Sequence, residues 1–272
     1  MTSGTIFANH KLPIQIYLFA IALFVNAVKG ISACQLSRDL NVQYKTAFTL
    51  AHKIRESLIQ QSEHSPLSGE VHIDATYIHS APRPKNKKTD RVDRRLKANA
   101  NPNKRAVFVM RERYSEQDTL NNPNLVGAKK TLTFPILSEN ATTINTLATT
   151  YIAPNSRIHA DENSAYDDLI THHDLKRVNH QREYCSDEGI TNNLAESYFS
   201  RFKRMYYGQV HKMNNIYLDN YANEIAYRED TRKLDNQHIF DDVVMKCLAI
   251  SSDNDWKGYW QGNHRQTERL IM

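Results

Sequence analysis

The sequence predicts an α+β chain: an N-terminal helix-turn-helix unit followed by a mixed five-stranded sheet flanked by helices. Three observations carry that reading. The pattern changes from helical to strand-like across Ser65-Pro66-Leu67-Ser68-Gly69, a run of turn-forming residues. Two short apolar runs, Val71-His72-Ile73-Asp74 and Arg157-Ile158-His159-Ala160-Asp161, each end on an aspartate, as neighbouring strands of one sheet would. An amphipathic helix begins near Asn193 and carries Glu196. With 272 residues there is room for one sizeable core and a smaller domain, at roughly 100 to 200 residues per domain. The expected division is 1–64 for the helical unit, 65–69 for a linker, 70–235 for the sheet domain and 236–272 for a tail packing on the core.

The longest apolar run is Leu12 to Val28. Pro13 and Gln15 near its start, Asn26 near its end and the lack of a small-residue cleavage site make it a buried helix over about 13–29 rather than a signal or anchor. Gly30 breaks it, Ser32 is placed to cap a short helix from Ala33 to Leu40, and Asn41 turns the chain. A longer helix follows from about Gln43 to Gln60. Its Ala47, Leu50, Ala51, Ile54 and Leu58 fall at helical spacing, which leaves Gln43, Lys45, Thr46, Lys53 and Arg55 for the outer face. In a helix-turn-helix the second helix enters the major groove and its first residues reach base edges. Gln43, Tyr44, Lys45 and Thr46 are therefore the expected contacts to double-stranded DNA, with Lys53 and Arg55 behind them. A helical hairpin that reads no DNA is the alternative for the same residues.

Val71 to Ile78 is the first expected strand and Arg105 to Arg111 a second, nearly all apolar one. Leu132, Phe134 and Ile136 alternate along Lys130 to Ile136, an edge or third strand. Thr142 to Thr150 reads as a helix, Arg157 to Ala160 as a fourth strand and Leu175 to Val178 as a fifth. Three strands, a helix, a strand and a helix, with acids at the ends of the first and fourth strands, is the order of the ribonuclease H-like fold. A third acid then belongs on a later helix. From Asn193 to Tyr206, Leu194, Ala195, Tyr198, Phe199, Phe202 and Met205 form an apolar stripe, and Glu196 and Lys203 share another face two turns apart.

Asp74, Asp161 and Glu196 thus make a candidate split carboxylate triad. Hard carboxylate oxygens hold Mg²⁺ or Mn²⁺ with positions left for substrate, and two such ions can clamp the attacking and leaving oxygens of a phosphoryl transfer. Lys203 is placed to grip a phosphate beside them, with Arg201 and Arg204 of Arg201-Phe202-Lys203-Arg204 as further phosphate contacts. Each of these charged residues is also compatible with a solvated helix face. His159, on the same strand face as Asp161, either orients the site or is a hydrogen-bonded core histidine, the latter being favoured. His180, Glu183 and His211 lack the paired spacing of a further metal site. Among the aromatics, Phe199 and Phe202 are expected in the core, and Tyr198, Tyr206 and Tyr207 either there or stacked on an unpaired base. Trp256, Tyr259 and Trp260 should fasten the C-terminal tail.

A composition of 40% hydrophobic and 24% charged residues is that of a globular chain, for which disorder is not the default, and the net charge of +5 permits a polyanionic partner without identifying one. The basic side chains concentrate between Arg83 and Arg113, at Arg83, Lys85, Lys87, Lys88, Arg91, Arg94, Arg95, Lys97, Lys104, Arg105, Arg111 and Arg113, as either a phosphate track or a solvated loop. Cys34, Cys185 and Cys247 are few and far apart, so neither a disulfide framework nor a cysteine zinc site is expected and a reducing cytoplasm fits.

These pieces resemble, in order, the DDE-type transposases of bacterial insertion sequences with an ISXO-like transposase domain. The resemblance runs through Gly4-Thr5-Ile6-Phe7, Lys11-Leu12-Pro13, Ile31 to Leu40, Tyr44 to Ala47, Ile73-Asp74, His159 to Glu162, Val178-Asn179-His180, Asn193 to Arg204, Gly208-Gln209 with His211, and Tyr227 to Asp230. It implies Asp74, Asp161 and Glu196 as metal-binding catalytic acids, Lys203 as the basic residue after the third, and a spacing from Asp161 to Glu196 like that of such enzymes. It also implies two Mg²⁺ or Mn²⁺ ions, DNA partners in the form of terminal inverted repeats and target DNA, and a homo-oligomer on DNA in a bacterial, nucleoid-associated cytoplasmic setting with no membrane partner. Two departures stand out: the zinc-ribbon usual ahead of the helical unit is missing, and Ala75 follows the first aspartate where relatives carry an acid or glycine. The alternatives are a non-catalytic DNA-binding remnant that acts as inhibitor or regulator, and a ribonuclease H-like nuclease.

Overall fold

A computed structural model describes residues 2–8, 11–62, 65–78, 85–93, 96–177, 191–251 and 254–271. Of the sequence expectations, those on Arg83, Arg94, Arg95, Val178 to His180, Glu183 and Cys185 lie outside the described residues, as do the side chains of Lys97 and Trp260.

Three helices come first: α1 (Ile14–Asn26), α2 (Ala33–Asp39) and α3 (Tyr44–Gln60). The Ser32 hydroxyl accepts the Gln35 amide at 3.2 Å, the cap its position suggested, and Asn41 turns the chain at φ 52°. Helix α1 is only half buried. Tyr17, Ala20, Ile21 and Phe24 face inward, whereas Ile14, Leu18 and Phe19 are exposed, Phe19 at 63%. No helix among the described residues is long and apolar enough to cross a membrane.

The sheet comprises β1 (Glu70–Ile78), β2 (Arg105–Arg113), β3 (Ala128–Ile136), β4 (Arg157–Ala160) and β5 (Asp174–Arg177), in the order β3-β2-β1-β4-β5. The first three pair antiparallel, and β4 and β5 run parallel to β1, which is the mixed ribonuclease H-like sheet expected from the element order. Alternation sorts the side chains. Val71, Ile73, Phe108, Met110, Ile158 and Ala160 join one core with Ile144 and Leu147 of α5 (Ala141–Tyr151). Val107 and Val109 turn to the opposite face, against Tyr198 and Phe202 of α6 (Asn193–Met205) and Tyr221 and Ile225 of α7 (Leu218–Thr231). A short helix α4 (Glu116–Asn121), closed by a Ser115 and Asp118 capping box, links β2 to β3.

The last helix, α8 (Asn236–Ala249), sends Val243 and Cys247 into the core of α1 to α3. Helix α3 is enclosed by these neighbours and by α7, so it has no outer face beyond its first turn. This corrects the expectation for Lys53 and Arg55, which are each 2% exposed. Arg55 donates to Glu224 of α7 at 2.6 Å, and Arg228 holds the same carboxylate. Glu56, beside it, accepts from Asn220 of α7 and from Arg265. The loop between α1 and α2 presses close to α6: a Cβ on Gly30, at φ 76°, would meet Met205 Cε at 2.7 Å. The segment expected to be a linker is docked as well, with Leu67 bridging Ile152 and fully buried. Trp256 stacks on His52 of α3 at 5.1 Å, and Ile271 bridges Ile136 of β3, so the C-terminal segment contacts both units.

Candidate active site

Asp74 sits in the middle of β1, opposite Val109 of β2, on the sheet face that α6 covers. Asp161 follows the last residue of β4, the strand parallel to β1, and its carboxylate accepts the Asn163 amide at 2.9 Å. Glu196 is in the first turn of α6 and exposed. The start of α6 is tied to the sheet at several points. Asn192, fully buried, donates to the Ile73 carbonyl next to Asp74 at 3.2 Å, and Thr191 O accepts from His159 Nδ1 at 3.1 Å. Arg111 of β2, also buried, donates to Leu194 O at 2.7 Å and to the Ser197 hydroxyl at 2.8 Å, while Glu229 of α7 accepts from its other arm. These bonds fix the helical turn that carries the third acid against the two strands that carry the others.

Burial pushes the Asp74 carboxyl up to about 7, and the negative charges of Asp161, Glu139 and Glu196 push in the same direction, against the Ala75 amide that Asp74 accepts at 2.7 Å. Elements remote in sequence therefore bring acids within electrostatic reach of Asp74. Glu139, between β3 and α5, was not foreseen. Its carboxyl is raised by burial and by Asp161, and it lies beside Tyr166 and Asn163. The Tyr166 phenol is itself pushed well up by burial, then by Glu139 and Asp74. Mutually repelling carboxylates around a partly buried aspartate suit a hard divalent cation, whose charge would relieve the repulsion. Asp74, Asp161 and Glu196 offer the oxygen donors, with Glu139 beside them.

Lys203 and Arg204 are exposed on α6. Arg201 is paired at 2.6 Å with the buried Glu229, so its charge is partly engaged within the fold. At the start of α3, Gln43, Tyr44 and Lys45 are exposed and Thr46 half-buried. Gln43, Lys45, Thr46 and Lys53 line one cleft together with Lys11, Lys257 and Tyr259. Burial lowers the Lys53 ammonium to about 8. Within the basic 83–113 stretch, Arg111 is a buried strut, Arg105 pairs with Glu268 and Arg113 with Glu70. Lys85, Lys87, Lys88 and Arg91 stay exposed.

The residues that the sequence did not single out share a cause. Glu139 lies in an irregular loop where no period marks a face, and Arg111 and Asn192 act through contacts that only the folded chain makes. His72 was within reach of sequence reasoning, since strand alternation puts it on the Asp74 face.

A family model described as ISXO2-like transposase domain matches residues 66–230. Among solved structures, the chain is similar to the crystal structure of the Mos1 strand transfer complex, at 12% identity and a TM-score of 0.29 over 96% of this chain and 82% of that one. It is also similar to the Mos1 transposase paired-end complex with left transposon end, at 12% identity and a TM-score of 0.21 over 90% of this chain and 82% of that one. No curated protein matches the chain.

Proposed function

The chain belongs to the ISXO2-like transposase domain family, and from that premise we propose that it cuts and joins DNA strands at the ends of a bacterial insertion sequence, with Asp74, Asp161 and Glu196 as its catalytic acids. The observation that carries the proposal is the convergence of these three acids, from β1, the end of β4 and α6, seen in the charge that each of the other two exerts on Asp74. Bound between them, Mg²⁺ or Mn²⁺, two ions in number, would activate the attacking hydroxyl and neutralise the phosphate in an in-line displacement. The protein's own part is to position. Asp74 stands on β1 and Asp161 just past the paired β4, and the bonds of Asn192, Thr191 and Arg111 tie the start of α6, with Glu196 in its first turn, to the sheet. Lys203, two helical turns after Glu196, would hold a DNA phosphate next to the acids.

Duplex binding is assigned to the start of α3. Gln43, Tyr44, Lys45 and Thr46 present side chains there, and the cleft beside them gathers Lys11, Lys45 and Lys257, with no acid among the described residues of its lining. Arg204 is kept as a phosphate contact, whereas Arg55 is a structural ion-pair residue. A homo-oligomer assembled on two inverted repeats, in a reducing cytoplasm, completes the proposal.

The test is a strand-cleavage and joining assay with the purified chain, Mn²⁺ and a duplex carrying the DNA that flanks the gene, run beside Glu196→Ala. Metal-dependent 3′-end cutting that the variant lacks supports the reading. Tight binding with no cutting by either protein would replace it with a remnant that occupies DNA, and cutting of unrelated structured nucleic acid would point to a nuclease.

A further inference from the structure

Beside the acids, on the same face of the same two strands, lies a second group of metal-ligating side chains that the proposed chemistry does not use. His72 of β1 and His159 of β4 are directly paired in the parallel register, and their rings stack at 4.6 Å and 22°. Both are buried, at 2% and 4% exposure. Glu70, two residues before His72, brings Oε1 to 3.0 Å from His72 Nε2 and 3.8 Å from His159 Nε2.

Hydrogen bonding fixes one tautomer. A backbone carbonyl can only accept, so His159 Nδ1 carries the proton that it gives to Thr191 O, and the neutral ring keeps its lone pair on Nε2. That lone pair faces the Glu70 carboxylate and, among the described residues, has no hydrogen-bond partner. A lone pair opposite a carboxylate is unfavourable unless a cation lies between them. A ring whose far nitrogen is tethered to a carbonyl is also the usual arrangement of a metal-bound histidine.

The spacing fits as well. Tetrahedral bonds of about 2.0–2.1 Å to nitrogen and oxygen put neighbouring donors about 3.3 Å apart, and the two contacts to Glu70 Oε1, 3.0 and 3.8 Å, lie on either side of that value. One donor atom from each of the three residues falls within 4.8 Å of the others. Arg113, which donates to Glu70 at 2.9 Å, is half exposed.

We propose that Glu70, His72 and His159 form a binding site for a divalent transition metal, Zn²⁺ in the first instance, that clamps β1 to β4 two residues ahead of Asp74 and Asp161. Two imidazoles and one carboxylate favour Zn²⁺, Co²⁺ or Ni²⁺ over Mg²⁺, so this site and the all-oxygen acid centre select different ions. Through Thr191 the clamp also reaches the start of α6. This site rests on imidazole geometry alone and does not require the chain to cut DNA.

The experiment is a Co²⁺ titration of the untagged, chelator-stripped full chain, followed by visible absorption, with Zn²⁺ and then excess Mg²⁺ as competitors and no DNA present. The expected result is one Co²⁺ in a four-coordinate spectrum, displaced stoichiometrically by Zn²⁺ and untouched by Mg²⁺. Glu70→Gln and His159→Gln should each weaken binding by more than about tenfold, a loss that even outer-shell changes reach. Asp74→Asn combined with Asp161→Asn should leave it unchanged. Circular dichroism checks that each variant is folded, and Glu70→Gln, at the partly exposed position, carries the test if His159→Gln does not fold. Absence of the four-coordinate band, its persistence in folded Glu70→Gln, or its loss in the double aspartate variant would overturn the assignment.

Discussion

Replacing Arg55 by methionine separates two roles that its sequence position leaves open. As a DNA contact, Arg55 would neutralise about one phosphate, and its loss would reduce the slope of log affinity against log salt by about 0.9 without touching stability. As the strut seen here, it donates to Glu224 at 2.6 Å and lies with its guanidinium 4.5 Å from the Tyr221 ring centroid, fully inside the protein. Breaking a buried ion pair costs about 3–5 kcal/mol because the remaining charge is stranded. Glu224 keeps Arg228 at 2.8 Å, so the stranding is incomplete and the lower end, about 3 kcal/mol, applies. Urea denaturation of Arg55→Met should show that loss, and its duplex binding, measured where the variant is folded, should keep the salt slope of the parent. A slope reduced by about one unit with stability unchanged would refute the placement of Arg55 between α3 and α7.

Other outcomes follow from the same contacts. Gly30→Ala combines a positive φ with a Cβ 2.7 Å from Met205 Cε and should cost about 1–3 kcal/mol by thermal or urea unfolding, with α6 loosened. Burial lowers the Lys53 ammonium to about 8 from the ordinary lysine value of about 10.5, so below 8 its buried charge opposes folding, and stability rises with pH between those values as the folded protein sheds the proton first. Lys53→Met should therefore be more stable than the parent at pH 7 by up to about 3 kcal/mol, with the gain shrinking toward pH 10. Asn192→Ala removes the bond to Ile73 O and should cost about 1 kcal/mol of stability, yet lower strand cleavage well beyond that, because Glu196 loses one of the ties that place it.

Much of the fold was legible because periodicity is a direct consequence of burial. The apolar alternation along Leu132, Phe134 and Ile136 marks β3 at the sheet edge, and the stripe from Ala195 to Met205 marks the buried side of α6. The same periodicity failed for α3, where Lys53 and Arg55 read as solvated although both are buried, Arg55 against Glu224 of α7. Charge patterns indicate exposure only when no distant ion pair compensates, and Glu224 lies far away in sequence. It failed likewise for α1, whose continuous apolar run hid a face that stays in solvent. The elements that carry the three proposed acids were legible, although Asp74 stands in the middle of β1 and not at the strand end expected for it. Glu139 and Arg111 were not, because one depends on a loop path and the other on packing between three elements.

Whether Asp74, Asp161 and Glu196 form one cation centre is read by a Tb³⁺ luminescence titration of the full chain without DNA. Tb³⁺ is a hard cation that takes oxygen donors, and the Tyr166 phenol beside the acids is placed to sensitise it. The expected result is saturable, tyrosine-sensitised emission that Mg²⁺ displaces and that Asp161→Asn and Glu196→Gln each weaken strongly, with His72→Gln binding as the parent does. Emission that is indifferent to Asp161→Asn or to Glu196→Gln, in folded protein, would contradict it.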